Sequence, residues 1–82
     1  MSKQKIKIVF VRWRDACGST TDRSIEDVPE YCDMDSAGIF LHETEESVVM
    51  TQDRHTGTST VRTTLSIPKC NILKKKIMSI EI

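Results

Sequence analysis

The chain has 82 residues, 38% apolar and 29% charged, with twelve bases balanced by twelve acids. That composition fits one small globular domain over residues 1–82 and is too apolar for a disordered tail. No apolar run approaches the roughly 20 residues that cross a bilayer. Met1-Ser2-Lys3-Gln4 leads straight into alternating charged and apolar residues, with no signal-peptide pattern. The expectation is a soluble domain, not a membrane protein, a secreted precursor or a multidomain enzyme.

Cys17, Cys32 and Cys70 are odd in number and widely spaced, with no C-x-x-C pair. A disulfide scaffold carries a denser, even set, so reduced thiols in a cytosol are expected. His42 and His55 add no metal-ligand spacing, so no metal or other cofactor is expected. Neutrality conceals a pattern. Residues 1–14 carry Lys3, Lys5, Lys7, Arg12 and Arg14 and no acid, whereas residues 15–53 carry eleven acids against Arg23 alone. Residues 54–82 return to six bases against Glu81. Such asymmetry bears on partners and self-association rather than on fold.

Residues 5–15, KIKIVFVRWRD, read as a strand, with Ile6, Ile8 and Phe10 on one face and Val9, Val11 and Trp13 on the other. Apolar on both faces, it needs a core on one side and another segment or subunit on the other. Residues 17–36 read as a connector with one helical turn or an ordered loop: Ser24 has the position of an N-cap, Ile25, Val28 and Tyr31 could face inward, and Pro29 bars a longer helix. Residues 37–43 and 47–53 alternate as a hairpin around Thr44-Glu45-Glu46, and Gly57 marks the next turn. A strand from Thr60 ends at Pro68, and residues 75–82 supply the last one.

Five short strands with regularly spaced turns predict an all-β fold, a small five-stranded antiparallel barrel. A strand ending Ile67-Pro68 and restarting at Ile72 resembles the 3₁₀ turn joining the last two strands of SH3-like and Sm-like barrels. Ubiquitin-like and OB folds are the competitors. The expected core is Ile8, Phe10, Ile39, Leu41, Val48, Met50, Val61, Leu65 and Ile67.

Three stretches recur in order along the chain: Val11, Trp13, Asp15 and Ala16; then Ser36, Gly38, Ile39, Glu43, Glu46 and Val49; then Ile67, Pro68, Lys69 and Ile72. Together they resemble a group of small, mostly uncharacterised tailed-bacteriophage proteins with a V-x-W-x-D-A, S-V-G and I-P-K-x-x-I pattern. The likeness spans nearly the whole chain. It departs at Ala37, where the pattern has Val, and in the connector, which lacks a second Trp. It implies a phage origin, action in the host bacterial cytoplasm and a small barrel, and hardly any chemistry.

Catalysis is not expected. Nucleophilic chemistry needs a base held against Ser, Cys or Thr by a third group, and neither His42 nor His55 has that context. Gly18-Ser19-Thr20-Thr21 lacks the glycines and lysine of a P-loop. In SH3-like and Sm-like barrels the first and last strands are neighbours, which would gather Lys5, Lys7, Arg12 and Arg14 with Lys74, Lys75 and Lys76 into one ligand-binding patch. Trp13 is either a core anchor or a stacking platform within that patch. The expectation is a non-enzymatic phage accessory protein that blunts host defence by sequestering a nucleotide-derived signal or by binding a host protein. The alternatives are an Sm-like nucleic-acid binder, stacking a base on Trp13 or Phe40, and a minor structural or assembly protein of the virion. A homo-oligomer is expected from the two apolar faces of the first strand.

Overall fold

The computed structural model describes residues 4–16, 22–28 and 30–82. Five antiparallel strands form one sheet: β1 (Lys5–Asp15), β2 (Cys32–Glu43), β3 (Ser47–Arg54), β4 (Val61–Pro68) and β5 (Ile72–Glu81). Two single 3₁₀ turns, Ile25–Asp27 and Lys69–Asn71, are the only helical pieces among the described residues. The order across the sheet is β4-β3-β2-β1-β5, so the first and last strands are neighbours and a 3₁₀ turn joins the last two, as expected. The sheet does not close. β4 and β5 are its free edges.

The core lies on the face of β1 that carries Val9, Val11 and Trp13, which pack with Val48, Met50 and Ile67. Phe40, Leu65 and Ile72 are partly buried against this cluster. Val48, Met50, Leu65 and Ile67 therefore stand where the alternation puts them. Ile8, Phe10, Ile39 and Leu41 do not. Ile8 and Phe10 lie on the opposite, outer face, and Ile39 sits beside Ile8 there. Val61, opposite Arg54 at the hairpin end, is also outside the core. Period-two alternation gives β1 two equally apolar faces, so it cannot choose between them; the large Trp13 goes inward and takes Val9 and Val11 with it.

Gly38 lets the sheet curl around that core. It lies opposite Val9, and a Cβ there would stand 2.8 Å from the Thr51 carbonyl oxygen and 3.3 Å from Met50 Sδ. β3 thus rolls over the inner face of β2 where β2 has no side chain. Leu41 is the extra residue of a β-bulge: Phe40 pairs with Met50, and the ladder resumes with His42 opposite Val49. The bulge shifts the alternation and brings Glu43, opposite Val48, to the inner side. Thr44 Oγ1 accepts hydrogen bonds from the Glu46 and Ser47 amides and closes the β2–β3 turn. In the β3–β4 turn Gly57 takes the left-handed conformation, φ 81°, that glycine adopts without steric cost. Buried Thr51 places its hydroxyl 2.8 Å from the carbonyl oxygens of both Asp53 and Arg62, tying the two strands of that hairpin together.

β2 begins at Cys32 rather than at residue 37, because Asp33 and Asp35 fall opposite Arg14 and Arg12 and extend the β1 ladder into the expected connector. The one helical turn is present as Ile25–Asp27, but Ser24 makes no side-chain capping bond. Ile25 is 92% exposed, and Val28 and Tyr31 are also exposed, since a three-residue turn has no face long enough to bury them. Cys32 is disulfide-bonded, which corrects the expectation of reduced thiols at that position. Cys70 is a free, exposed thiol; Cys17 and the Gly18–Thr21 segment lie outside the described residues. The radius of gyration is 16.3 Å, against about 12 Å for a compact chain of this length. The open sheet is long and narrow.

Three substitutions test this packing by urea unfolding. Ile67→Ala, at a fully buried position, is expected to cost about 2–5 kcal/mol, and Leu65→Ala less, because Leu65 is only half-buried. Gly38→Ala is expected to cost about 1–3 kcal/mol, as overpacking against the Thr51 backbone does.

Candidate functional site

The β1–β5 ladder sets Arg12 opposite Lys74, Val11 opposite Lys75, Phe10 opposite Lys76 and Lys5 opposite Glu81. The two basic ends of the chain do meet, but on two faces. Alternation puts Arg12, Arg14, Lys74 and Lys76 on the outer face, and Lys5, Lys7, Trp13 and Lys75 on the inner one. Trp13 is only 8% exposed, and its indole N–H donates to Ser36 Oγ at 3.0 Å. It is a core anchor, and its ring is not available to stack on a base. Phe40, the other candidate platform, is packed against the same core.

Acids neutralise much of the patch. Arg12 holds Asp35 in a bidentate pair at 2.8 and 3.0 Å. The hydrogen bond and charge of that pair raise the Arg12 pKa and lower that of Asp35. Arg14 meets Asp33 at 3.3 Å and lies 4.3 Å over the Tyr31 ring. On the inner side Glu43 Oε2 receives Lys75 at 2.9 Å and Lys69 at 3.0 Å, which ties β2 to β5 and to the 3₁₀ turn beside the open seam. Those two hydrogen bonds hold the Glu43 carboxyl below its ordinary pKa. The expected single basic patch gives way to interleaved charges. Asp33 and Asp35 repeat at the two-residue spacing of Arg12 and Arg14, and that mirrored spacing is the signal in the sequence for their pairing. Among the described residues Lys5, Lys7, Lys74 and Lys76 have no carboxylate partner.

The outer face is the feature the core does not use. Ile6 sits opposite Ile80, Ile8 lies between Ile39 and Met78, and Phe10 lies between Ala37 and Lys76. Met78 and Ile80 are 49% and 45% exposed. The result is an apolar strip three strands wide, bordered at one end by Lys74 and Lys76. Past the other end, next to Ile39, the β3–β4 hairpin frames a cleft of about 520 Å³ lined by Ile39, Arg54, His55, Val61 and Arg62 among others. A second hollow shares Ile39, Arg54 and His55 and reaches Ile6 and Ile82. Arg62 is engaged by Asp53 at 3.2 Å. No group of three His, Cys, Asp or Glu side chains among the described residues is arranged to hold a metal ion.

Comparison with protein-family models, with curated proteins and with solved structures returns no match to this chain.

The Glu43 clamp makes a pH prediction. A carboxyl whose pKa is lower folded than unfolded stabilises the protein above its unfolded value, and that contribution is lost as pH falls through the folded value. Glu43→Gln is therefore expected to lower the urea midpoint at about pH 7, with the difference from wild type vanishing in acid once Glu43 is protonated. An NMR titration of Glu43 with its midpoint at or above the ordinary carboxylate value would contradict the clamp.

Proposed function

We propose that the protein is a non-enzymatic phage accessory protein that docks on a host defence protein through the outer face of β1, β2 and β5. The observation that carries this reading is the apolar strip of Ile6, Ile8, Phe10, Ile39, Met78 and Ile80, which lies outside the core and is bordered by the uncompensated Lys74 and Lys76. A partner surface with an apolar centre and an acidic rim is its complement, since charged borders steer and orient an encounter whose affinity comes from the apolar middle. The ordered likeness to small tailed-phage proteins, from Val11 to Ile72, supports the phage setting, and the defence role follows from the association of such small accessory proteins with that task. The host bacterial cytoplasm is the proposed site of action.

A second reading, sequestration of a nucleotide-derived signal, is favoured by one observation. The cleft at the β3–β4 hairpin sets Arg54 beside Ile39 and Val61, a cation for phosphate next to an apolar floor for a base, with the Asp53–Arg62 pair in its wall. The nucleic-acid alternative has less support, because Trp13 and Phe40 are spent in the core and Arg12 and Arg14 are spent on acids.

Affinity capture from host lysate tests the docking reading. Wild type is expected to retain a specific protein that Lys74→Glu/Lys76→Glu loses, with the circular dichroism of both unchanged. Equal capture by the two, or none by either, would remove it. Calorimetry with cyclic and linear nucleotides tests the second reading: heat with wild type that Arg54→Ala abolishes supports it, and flat titrations end it.

A further inference from the structure

The two free edges of the sheet are unlike. β4 is eight residues long, is kinked at Thr63, which sits at a left-handed φ of 62°, and ends at Pro68. These are features that blunt an edge against pairing. β5 is ten residues long and has neither device along 74–81. Every residue of β5 after Ile72 is exposed, including the large apolar Leu73, Ile77, Met78 and Ile80. Ile77, opposite Val9, lies on the inner face, and Met78, opposite Ile8, on the outer. The strand thus presents apolar side chains on both faces beside a row of backbone groups that no strand meets.

The charges along this edge are lopsided. Lys74, Lys75 and Lys76 fill its first half, and its second half, from Ile77 onward, holds no base and ends with Glu81. We infer that β5 pairs antiparallel with β5 of a second copy of this chain, in a two-fold register centred on Met78. A two-fold axis perpendicular to the sheet keeps inner faces with inner faces, so each residue meets one of its own parity. A register centred on any residue from Lys74 to Lys76 sets lysine against lysine, and one centred on Ile77 leaves Lys76 diagonal to its own copy at about 7–8 Å, so these are repelled. Centred on Met78, the lysine half of each strand meets the lysine-free half of the other. Lys75 then lies opposite the partner's Glu81, Lys76 opposite the partner's Ile80, and Met78 opposite the partner's Met78. The lysines that would guard this edge against promiscuous pairing serve instead to select one register. The pairing uses the edge of β5 and leaves its outer face open, so it stands or falls independently of host-protein docking.

The test uses the full chain. Light scattering is expected to give twice the mass of one chain, with Met78→Lys shifting it to one chain at unchanged circular dichroism. In a Cys70→Ser background, Met78→Cys places two thiols directly opposite, about 5 Å apart between Cβ atoms, and a short bis-thiol cross-linker is expected to join them. Leu73→Cys places its two thiols ten residues apart along the paired strands, about 33 Å, and is expected to stay uncrosslinked. A single-chain mass at all concentrations, a mass other than twice the chain, or equal cross-linking at positions 73 and 78 would overturn the inference.

Discussion

The architecture depends on a missing side chain. At Gly38 the backbone of Thr51 comes so close to β2 that a Cβ could not be accommodated without a shift. That approach turns a flat meander into a curled sheet. It brings Val48 and Met50 of β3, and behind them Ile67 of β4, over Val9, Val11 and Trp13. Without the curl each strand would have only its immediate neighbours, and a five-stranded sheet in water would have no interior. The bulge at Leu41 follows from the same bend, because a strand that turns out of plane is longer on one side. Its by-product is Glu43 on the inner side, where Lys69 and Lys75 reach it. Individually such exposed pairs contribute little. Here one carboxylate links three segments at the seam that no ladder closes.

Curling also explains why the outer face is exposed. A sheet wrapped around one side can cover only that side, and among the described residues of the connector Ile25, Val28 and Tyr31 are exposed rather than packed over the other. The apolar residues there are ordinary strand formers, and Ile6, Ile8 and Ile39 partly shield one another through cross-strand contact. Their neighbours on β5 gain less, because β5 has a partner on only one side. The charged rows are graded in the same direction. Arg14 and Arg12 are matched by β2 acids, while Lys74 and Lys76, one strand further out, are not.

Strand positions were legible because alternation and turn residues are local properties. β1 falls at residues 5–15 as read, Pro68 ends β4, and Gly57 occupies its turn. The neighbourhood of β1 and β5 was legible from the Ile67-Pro68 stop and the restart at Ile72. The orientation of β1 was not, since Ile8 and Phe10 are as apolar as Val9 and Val11, and the choice is made by tertiary contacts with Gly38 and β3. The start of β2 was missed because Cys32-Asp33-Met34-Asp35 has poor strand propensity by composition; cross-strand arginines override it. The division of the basic residues between two faces, and their pairing with acids, were not legible for the same reason. Spacing along one strand places a base on a face, but only the ladder reveals which acid stands beside it.

The placement of β1 between β2 and β5 sets the order in which the sheet can be completed. Its first ladder joins segments about a connector apart, whereas its second joins Lys5 to Glu81, across nearly the full length of the chain. Closing the longer loop costs about 1 kcal/mol more in entropy than closing the shorter one, which favours the second ladder forming after the first. Until β5 arrives, the most apolar strand in the molecule has one edge unpaired, which is the condition under which nascent β proteins are captured by chaperones or by one another.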